Sequence, residues 1–240
     1  MTLNAYNQRT ALLLGEEAIK SLRKAHVMIV GVGGVGAYAA EMVARTGVGR
    51  ITLIDGDNVA ESNLNRQLPA LVSTIGMAKA EVMKQRIADI NPDCNVDAIK
   101  AFIGADDIGS FIADRPDFVI DAIDSISPKV ALLEYCYRNK IKVISSMGAG
   151  GRTDPTKVRY ADISETYHDG LAREVRKRLR KAGISSGIKT VFSTEQPSRH
   201  SLMMTDEIAF KTSSFGTVAW LPSMFGIMLA AYALNHIAEK

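Results

Sequence analysis

Cysteine is almost missing from this chain. Cys94 and Cys136 are the two such residues in 240, and no C-x-x-C pair occurs. Two isolated thiols make no disulfide framework and fit a reducing compartment, so a cytoplasmic location is expected. Charge of one sign is scarce as well. The net charge of +3 is too small by itself to demand a nucleic-acid partner. There is no internal repeat, no low-complexity linker, and no signal-peptide core in the polar N-terminus. Long apolar runs are limited to 215–237, bounded or interrupted by Pro222, Asn235 and His236. Its length raises the question of a membrane span. The expected reading is a helix buried in the core or in a subunit interface, without membrane association. At 240 residues and 47% hydrophobic, the chain suits one α/β domain, or one with a lobe attached.

What is present centres on 27–55. Val27–Val30 reads as a buried strand. Gly31, Gly33 and Gly36 then match G-x-G-x-x-G, and an Ala-rich apolar helix follows. A second strand, 51–54, delivers Asp55 nineteen positions after Gly36. Glycines let the backbone turn tightly and approach a phosphate, and the helix N-terminus offers free N–H groups and a positive dipole end. An acidic residue at that distance can accept from ribose hydroxyls. The pattern predicts a nucleotide site.

Strands and helices alternate along the rest of the chain. Residues 4–24 read as an amphipathic helical region with Gly15 as a break. Helices are predicted over 77–90, 106–113 and 128–139, and strands over 96–101, 118–122 and 141–145. This alternation predicts an α/β fold, a doubly wound, mostly parallel Rossmann-like sheet with helices on both faces and its ligand at the carboxyl ends of the strands. After residue 150 the character changes. Strands over 157–163 and 189–193 flank a basic helix, 171–182. A polar connection, 195–211, leads to the closing helix 215–237. The expected organisation is residues 1–150 as the nucleotide-binding domain and 151–240 as a C-terminal extension of the same globular unit.

A dinucleotide enzyme and an ATP-using enzyme share the glycine motif. A dinucleotide's pyrophosphate is handled by backbone N–H groups, whereas a triphosphate with a leaving pyrophosphate needs compensating charge. Arg66 and Lys79 follow Asp55 on the loop and helix beside the same strand end. Asp124, after the strand 118–121, can return to the same crevice and hold Mg2+. Taken singly, each is an ordinary solvated charge, and an NAD-binding protein stays open at this point.

Together the segments Gly31–Gly36, Asp55–Asp57, Ser62–Gln67, Gly76–Lys79, Asn91–Pro92 and Asp121–Ser125 resemble the ThiF/MoeB type of the ubiquitin-activating-enzyme-like superfamily, in its order and spacing. The resemblance implies adenylation of a carboxylate with ATP and Mg2+ as cofactors. It implies that Gly31, Gly33, Gly34 and Gly36 approach the phosphates and that Asp55 binds the ribose, with Asp57 in the same nucleotide-binding set. Asn63, Arg66 and Lys79 would hold the phosphates, and Asp124 the metal. Arg9, six positions before Gly15, matches an arginine that reaches into the neighbouring subunit's site, so a homodimer is implied. Arg66, Lys79, Asp124 and Arg9 are thus the catalytic set.

Within that superfamily the absent cysteines argue against the zinc-bearing sulfur-carrier adenylyltransferases and against thioester transfer. The segments 44–49, 76–83, 119–125, 147–156 and 191–195 resemble the branch of tRNA threonylcarbamoyladenosine dehydratases. Some members of that branch carry a cysteine shortly before Phe215–Gly216, where this chain has Lys211, Thr212, Ser213 and Ser214. A sulfur-relay partner is therefore unsupported. The reaction implied is ATP-driven cyclisation, with loss of water, of the threonylcarbamoyl group on tRNA. A tRNA substrate needs a basic surface, and Arg173, Arg176, Lys177, Arg178, Arg180 and Lys181 supply a one-sided run. Arg152, Lys157, Arg159 and Arg199 can join it, and Tyr167 and His168 offer stacking faces. No DNA partner is expected. The alternative is an adenylyltransferase for the C-terminus of a sulfur-carrier or ubiquitin-like protein.

Overall fold

The apolar runs of the sequence become the inner strands of one twisted sheet. The computed structural model describes residues 5–208 and 211–239, and the side chains of 199 and 203–214 lie outside that description. In chain order the elements are α1 (Gln8–Leu14), α2 (Glu16–Lys24), β1 (His26–Val30), α3 (Gly36–Arg45), β2 (Arg50–Ile54), α4 (Lys79–Ile90), β3 (Asn95–Ile99), α5 (Ile108–Phe111) and β4 (Phe118–Asp121). There follow α6 (Ile126–Arg138), β5 (Val143–Ser146), β6 (Val158–Asp162), α7 (Gly170–Lys181), β7 (Lys189–Ser193), β8 (Leu202–Ile208), β9 (Lys211–Phe215) and α8 (Trp220–Ala238).

The sheet order is β3-β2-β1-β4-β5-β7-β6. All neighbours are parallel except β6 and β7. The mostly parallel α/β sheet is as the sequence predicts. Side chains alternate across a strand, and β1 shows the consequence. Val27 and Ile29 enter one apolar cluster with α3, α4 and α8, while Met28 and Val30 enter another with α5 and α6. A strand buried on both faces needs helices on both faces. The chain leaves β1 toward β2 on one side and returns to β4 on the other, so the crevice between the β1 and β4 ends is the topological switch point where ligands bind.

Helix α8 is long and apolar enough to cross a membrane by length and composition, with mean hydropathy 1.3. Its buried residues explain that composition. Leu221, Phe225, Leu229, Ala233 and Ile237 recur every fourth position and are buried in the core. A Cβ on Gly226 would stand 2.2 Å from the Val35 carbonyl oxygen, so the glycine is what lets α8 lie directly on α3. Tyr160 donates to the Met228 carbonyl at 2.6 Å, tying β6 to the same helix.

Most boundaries shift by one or two residues, and the larger differences from the sequence expectation have physical reasons. The helix expected over 106–113 is the single turn α5. The helix expected from 215 begins at Trp220, because Phe215 pairs with Leu202 across the β8–β9 hairpin. Pro222 does not interrupt α8; it occupies the first turn, where no intrahelical N–H is needed. The connection 195–211, expected to be polar, contains β8, a separate strand whose sequence groups its apolar residues at the ends and so carries no period-two apolar signal. Pairing with β9 decides it instead. Residues 209 and 210 lie outside the described residues.

Candidate active site

The site is built at the carboxyl end of β1. Gly31 has φ +85, and a Cβ there would lie 2.7 Å from the Ala122 carbonyl oxygen; on Gly36 it would lie 1.8 Å from the Gly31 oxygen. Only glycine fits at either place, and the loop is thereby folded against the extension of β4. Helix α3 starts at Gly36 and points its N-terminal N–H groups out of this loop, a ready site for anions.

Asp55 stands beside it. One carboxylate oxygen accepts from the Val32 N–H at 2.6 Å and the other from the Asp57 N–H at 2.8 Å. A carboxylate has about four acceptor positions, so capacity for ribose hydroxyls remains. Burial pushes the Asp55 carboxyl above the usual carboxylate range, opposed by Lys79 and by those two N–H donors. Lys79 opens α4 with its side chain almost buried, and its Nζ lies 2.8 Å from Asp57 Oδ2. The Lys79 N–H also donates to the Asp57 carbonyl at 3.1 Å. The Asp55 carboxylate and the Lys79 ammonium thus belong to one stitched unit.

Residues 62–67 lie over the glycine loop. The position of a Cβ on Gly34 is 3.5 Å from Arg66 Cγ, and on Gly33 it is 3.5 Å from Gln67 Nε2. Arg66 Nη1 donates to the Ser62 carbonyl at 2.8 Å and to Asn65 Oδ1 at 2.7 Å. Burial lowers the Arg66 pKa while the Asp124 carboxylate raises it, which places the two side chains in the same field. A guanidinium stays charged under such shifts. Asn63 is buried, and its Oδ1 accepts from the Ala60 N–H at 3.1 Å. Its Nδ2 donors are what it can offer a phosphate.

The sequence reading gave no role to Gln67. Its Nε2 lies against Gly33 of the glycine loop, and its Oε1 is a buried acceptor with no partner among the described residues. The only signal was its place next to Arg66. The ion pair beneath Asp124 was also missed. Lys129 Nζ lies 2.5 Å from Asp121 Oδ2, 3.2 Å from Ser145 Oγ and 2.9 Å from the Ser146 carbonyl, all fully or almost fully buried. Asp121 Oδ1 accepts from the Ile123 N–H at 3.0 Å and so shapes the turn leading to Asp124. Nothing in the amphipathic pattern of α6 separates Lys129 from a surface lysine.

Among the described residues no three His, Cys, Asp or Glu side chains form a metal cluster. A single exposed carboxylate, Asp124, still fits Mg2+ in a nucleotide site, because that ion takes one or two protein carboxylates and fills its shell with phosphate oxygens and water. Arg9 is exposed on α1. On α7, Arg173, Lys177, Arg180 and Lys181 are exposed. Arg176 turns inward to Thr166 Oγ1 and the Thr166 carbonyl at 2.6 and 2.9 Å. Arg178 pairs with Glu174 at 3.0 Å and reaches Ser127 Oγ at 2.9 Å. Arg152 is buried and takes no part in the basic surface; the Arg199 side chain lies outside the described residues. Burial pushes the Cys94 thiol up to about 11 and the Cys136 thiol up to about 12, which leaves neither as a thiolate nucleophile.

Known proteins are similar to the chain over its full length. The chain is 42% identical over 238 residues to the tRNA threonylcarbamoyladenosine dehydratase of Bacillus subtilis, covering 96% of this chain and 94% of that one. It is 40% identical over 257 residues to the Escherichia coli protein of the same name, covering 99% and 96%. The crystal structure of E. coli tRNA N6-threonylcarbamoyladenosine dehydratase, TcdA, in complex with ATP superposes with a TM-score of 0.89 at 38% identity, covering all of this chain and 98% of that one. The sequence profile of the ThiF family matches residues 6–240, and this chain is a member of the ThiF family.

Proposed function

We propose that this protein is an ATP-dependent tRNA threonylcarbamoyladenosine dehydratase. The observation that carries the reading is the convergence of the glycine loop, Arg66, Lys79 and the Asp124 turn at the β1–β4 switch point, in a chain similar over its full length to dehydratases of that name. The carboxylate of the threonylcarbamoyl arm attacks the α-phosphorus of ATP, and the bond to pyrophosphate breaks. Arg66 and Lys79 neutralise the charge that builds on the phosphates. Asp124 holds Mg2+, which supplies further charge neutralisation when bound. A urea nitrogen or oxygen of the arm then attacks the acyl carbon, AMP departs, and a proton is released. Water is lost overall, and no cysteine is needed.

Residues 1–150 form the adenylation unit in this reading, and 151–240 extend it toward the tRNA. A cytoplasmic location suits the two reduced, inert thiols. The enzyme acts as a homodimer in which Arg9 serves the partner's site. Leu12 and Leu13, beside Arg9 on α1, are 88% and 84% exposed, an apolar surface that a second subunit would cover. The sulfur-carrier adenylyltransferase is not favoured, since neither a zinc cysteine set nor a reactive thiol exists.

Mass spectrometry of nucleosides after incubation with ATP and threonylcarbamoylated tRNA tests the activity. The modified nucleoside should lose the mass of one water, with AMP formed in equal amount. An unchanged mass rejects the reading. The basic face is tested separately with Arg180→Glu/Lys181→Glu. This variant should bind tRNA roughly tenfold more weakly at moderate salt and lower the slope of log affinity against log salt by about two. Filter binding across a salt series measures both, and an unchanged slope removes α7 from the tRNA surface.

A further inference from the structure

A second cavity, of about 580 Å3, opens beside the loop that follows β5. It lies apart from the phosphate residues. Its wall is held by Arg152, whose guanidinium reaches the Gly148 and Gly150 carbonyls, the Glu195 carbonyl at 2.9 Å, the His168 carbonyl at 2.7 Å and Asp169 Oδ2 at 3.4 Å. Asp169 in turn caps α7 through Ala172 N–H at 2.9 Å and accepts from Gly148 N–H at 2.9 Å. One buried ion pair therefore fixes the β5 loop, the start of α7 and the segment after β7 together. His168 is pinned at φ +53, a conformation that costs a non-glycine residue energy and persists where surroundings impose it.

What this rigid frame presents is aromatic and cationic. Tyr167 is 50% exposed and Phe215 40% exposed, both on the cavity wall, with the exposed Arg173 beside them. Tyr167 is braced edge-on by Phe192 at 5.4 Å and by His168 at 5.0 Å. A braced, exposed ring next to a guanidinium is the usual receiver of an unpaired base. The volume falls in the roughly 300–1,000 Å3 range of small-molecule sites.

The cavity also has the right address. β5 is two strands from β1 in the sheet, about 10 Å at the usual strand spacing, and its loop lies at the same carboxyl edge. Contacts run across the gap: Gly151 N–H donates to Gly216 O at 2.8 Å, Asn65 Nδ2 to Thr217 O at 3.3 Å, and Arg66 to Asn65. An N6 arm of a few covalent bonds reaches roughly 5 Å from its purine, about half of that spacing, and points its carboxylate toward the phosphate residues. We infer that this cavity seats the unpaired purine base that carries the acidic arm, with Tyr167 as its stacking face. The inference rests on the RNA-modifying reading above and assigns the base, as opposed to the arm, its own site.

A stem-loop RNA with one 2-aminopurine in its loop at the modified position tests this without turnover. Bound to the wild-type protein, its fluorescence should fall several-fold, and Tyr167→Phe should preserve the quenching. Tyr167→Ala should restore the fluorescence of free RNA, while anisotropy at saturating protein shows the loop still bound, about tenfold more weakly. In turnover, Tyr167→Ala should raise KM for modified tRNA about tenfold and leave KM for ATP unchanged. If Tyr167→Ala melts well below wild type, Tyr167→Leu, which keeps bulk without a π face, serves in its place. Quenching that survives loss of the ring in a bound complex overturns the cavity assignment and leaves the RNA reading standing. Failure of the wild-type protein to bind the loop overturns both.

Discussion

Lys79→Ala should reduce AMP formation by roughly 10²–10³-fold, the effect of removing one preorganised charge from developing negative charge. Arg66→Ala should act alike. Lys79→Ala should keep the fold at a modest cost in stability: its side chain is 6% exposed and its ammonium opposes the burial of Asp55, but its partner Asp57 is 56% exposed and rehydrates once the ammonium is gone. Single-turnover AMP release and a thermal melt separate the two effects. Near-normal turnover would remove Lys79 from the phosphate site, and a large drop in Tm would reassign it to structure. Mixing inactive Lys79→Ala with inactive Arg9→Ala should restore part of the activity, since hybrid dimers then hold one intact composite site. Absence of recovery would place Arg9 in its own subunit's chemistry or outside it.

Lys129→Ala should be the most destabilising single change in the site region. It strands the Asp121 carboxylate at 0% exposure, with Ser145 Oγ at 2.6 Å and the Ile123 N–H as its remaining donors. Breaking a buried pair from one side costs about 3–5 kcal/mol, which for a chain of this size lowers Tm by roughly 6–20 °C. The double change Lys129→Met/Asp121→Asn should recover much of that loss, because both charges leave together. The double variant should remain impaired in AMP formation, as the turn that carries Asp124 loses its anchor. Calorimetry of the two variants gives the answer. A single variant that melts with the wild type would mean that water reaches Asp121.

The strand–glycine–helix–strand–Asp unit was legible because each part is local. Gly31 and Gly36 are demanded by backbone geometry within a few residues, and β1 and β2 are continuous apolar runs. Arg66, Lys79 and Asp124 were singled out as a set only through the resemblance of their segments to the ThiF/MoeB type, since each alone resembles a surface charge. The same local reading failed at β8, whose non-alternating sequence becomes a strand by pairing with β9, and at 215–219, which that pairing withdraws from α8. It also placed Arg152, Arg176 and Arg178 on a basic surface. The structure buries the first and turns Arg176 inward to Thr166, since those partners come from other elements that composition along one helix does not reveal; Arg178, paired with Glu174 one turn away on the same helix, stays 42% exposed.

The sequence by itself determined the parallel sheet, the nucleotide loop and the chemical character of the crevice, because these follow from apolar periodicity, glycine sterics and the order of charged residues along the chain. Tertiary structure alone decided which polar side chains meet which partners: the Lys129–Asp121 pair under the Asp124 turn, the Arg152–Asp169 frame of the second cavity, the Gln67 amide against the glycine loop. Each joins residues between 8 and about 40 positions apart, or meets a loop from another element. Burial then sets their energies, because the strength and cost of a charge depend on the water removed around it, and that is fixed only when the layers close.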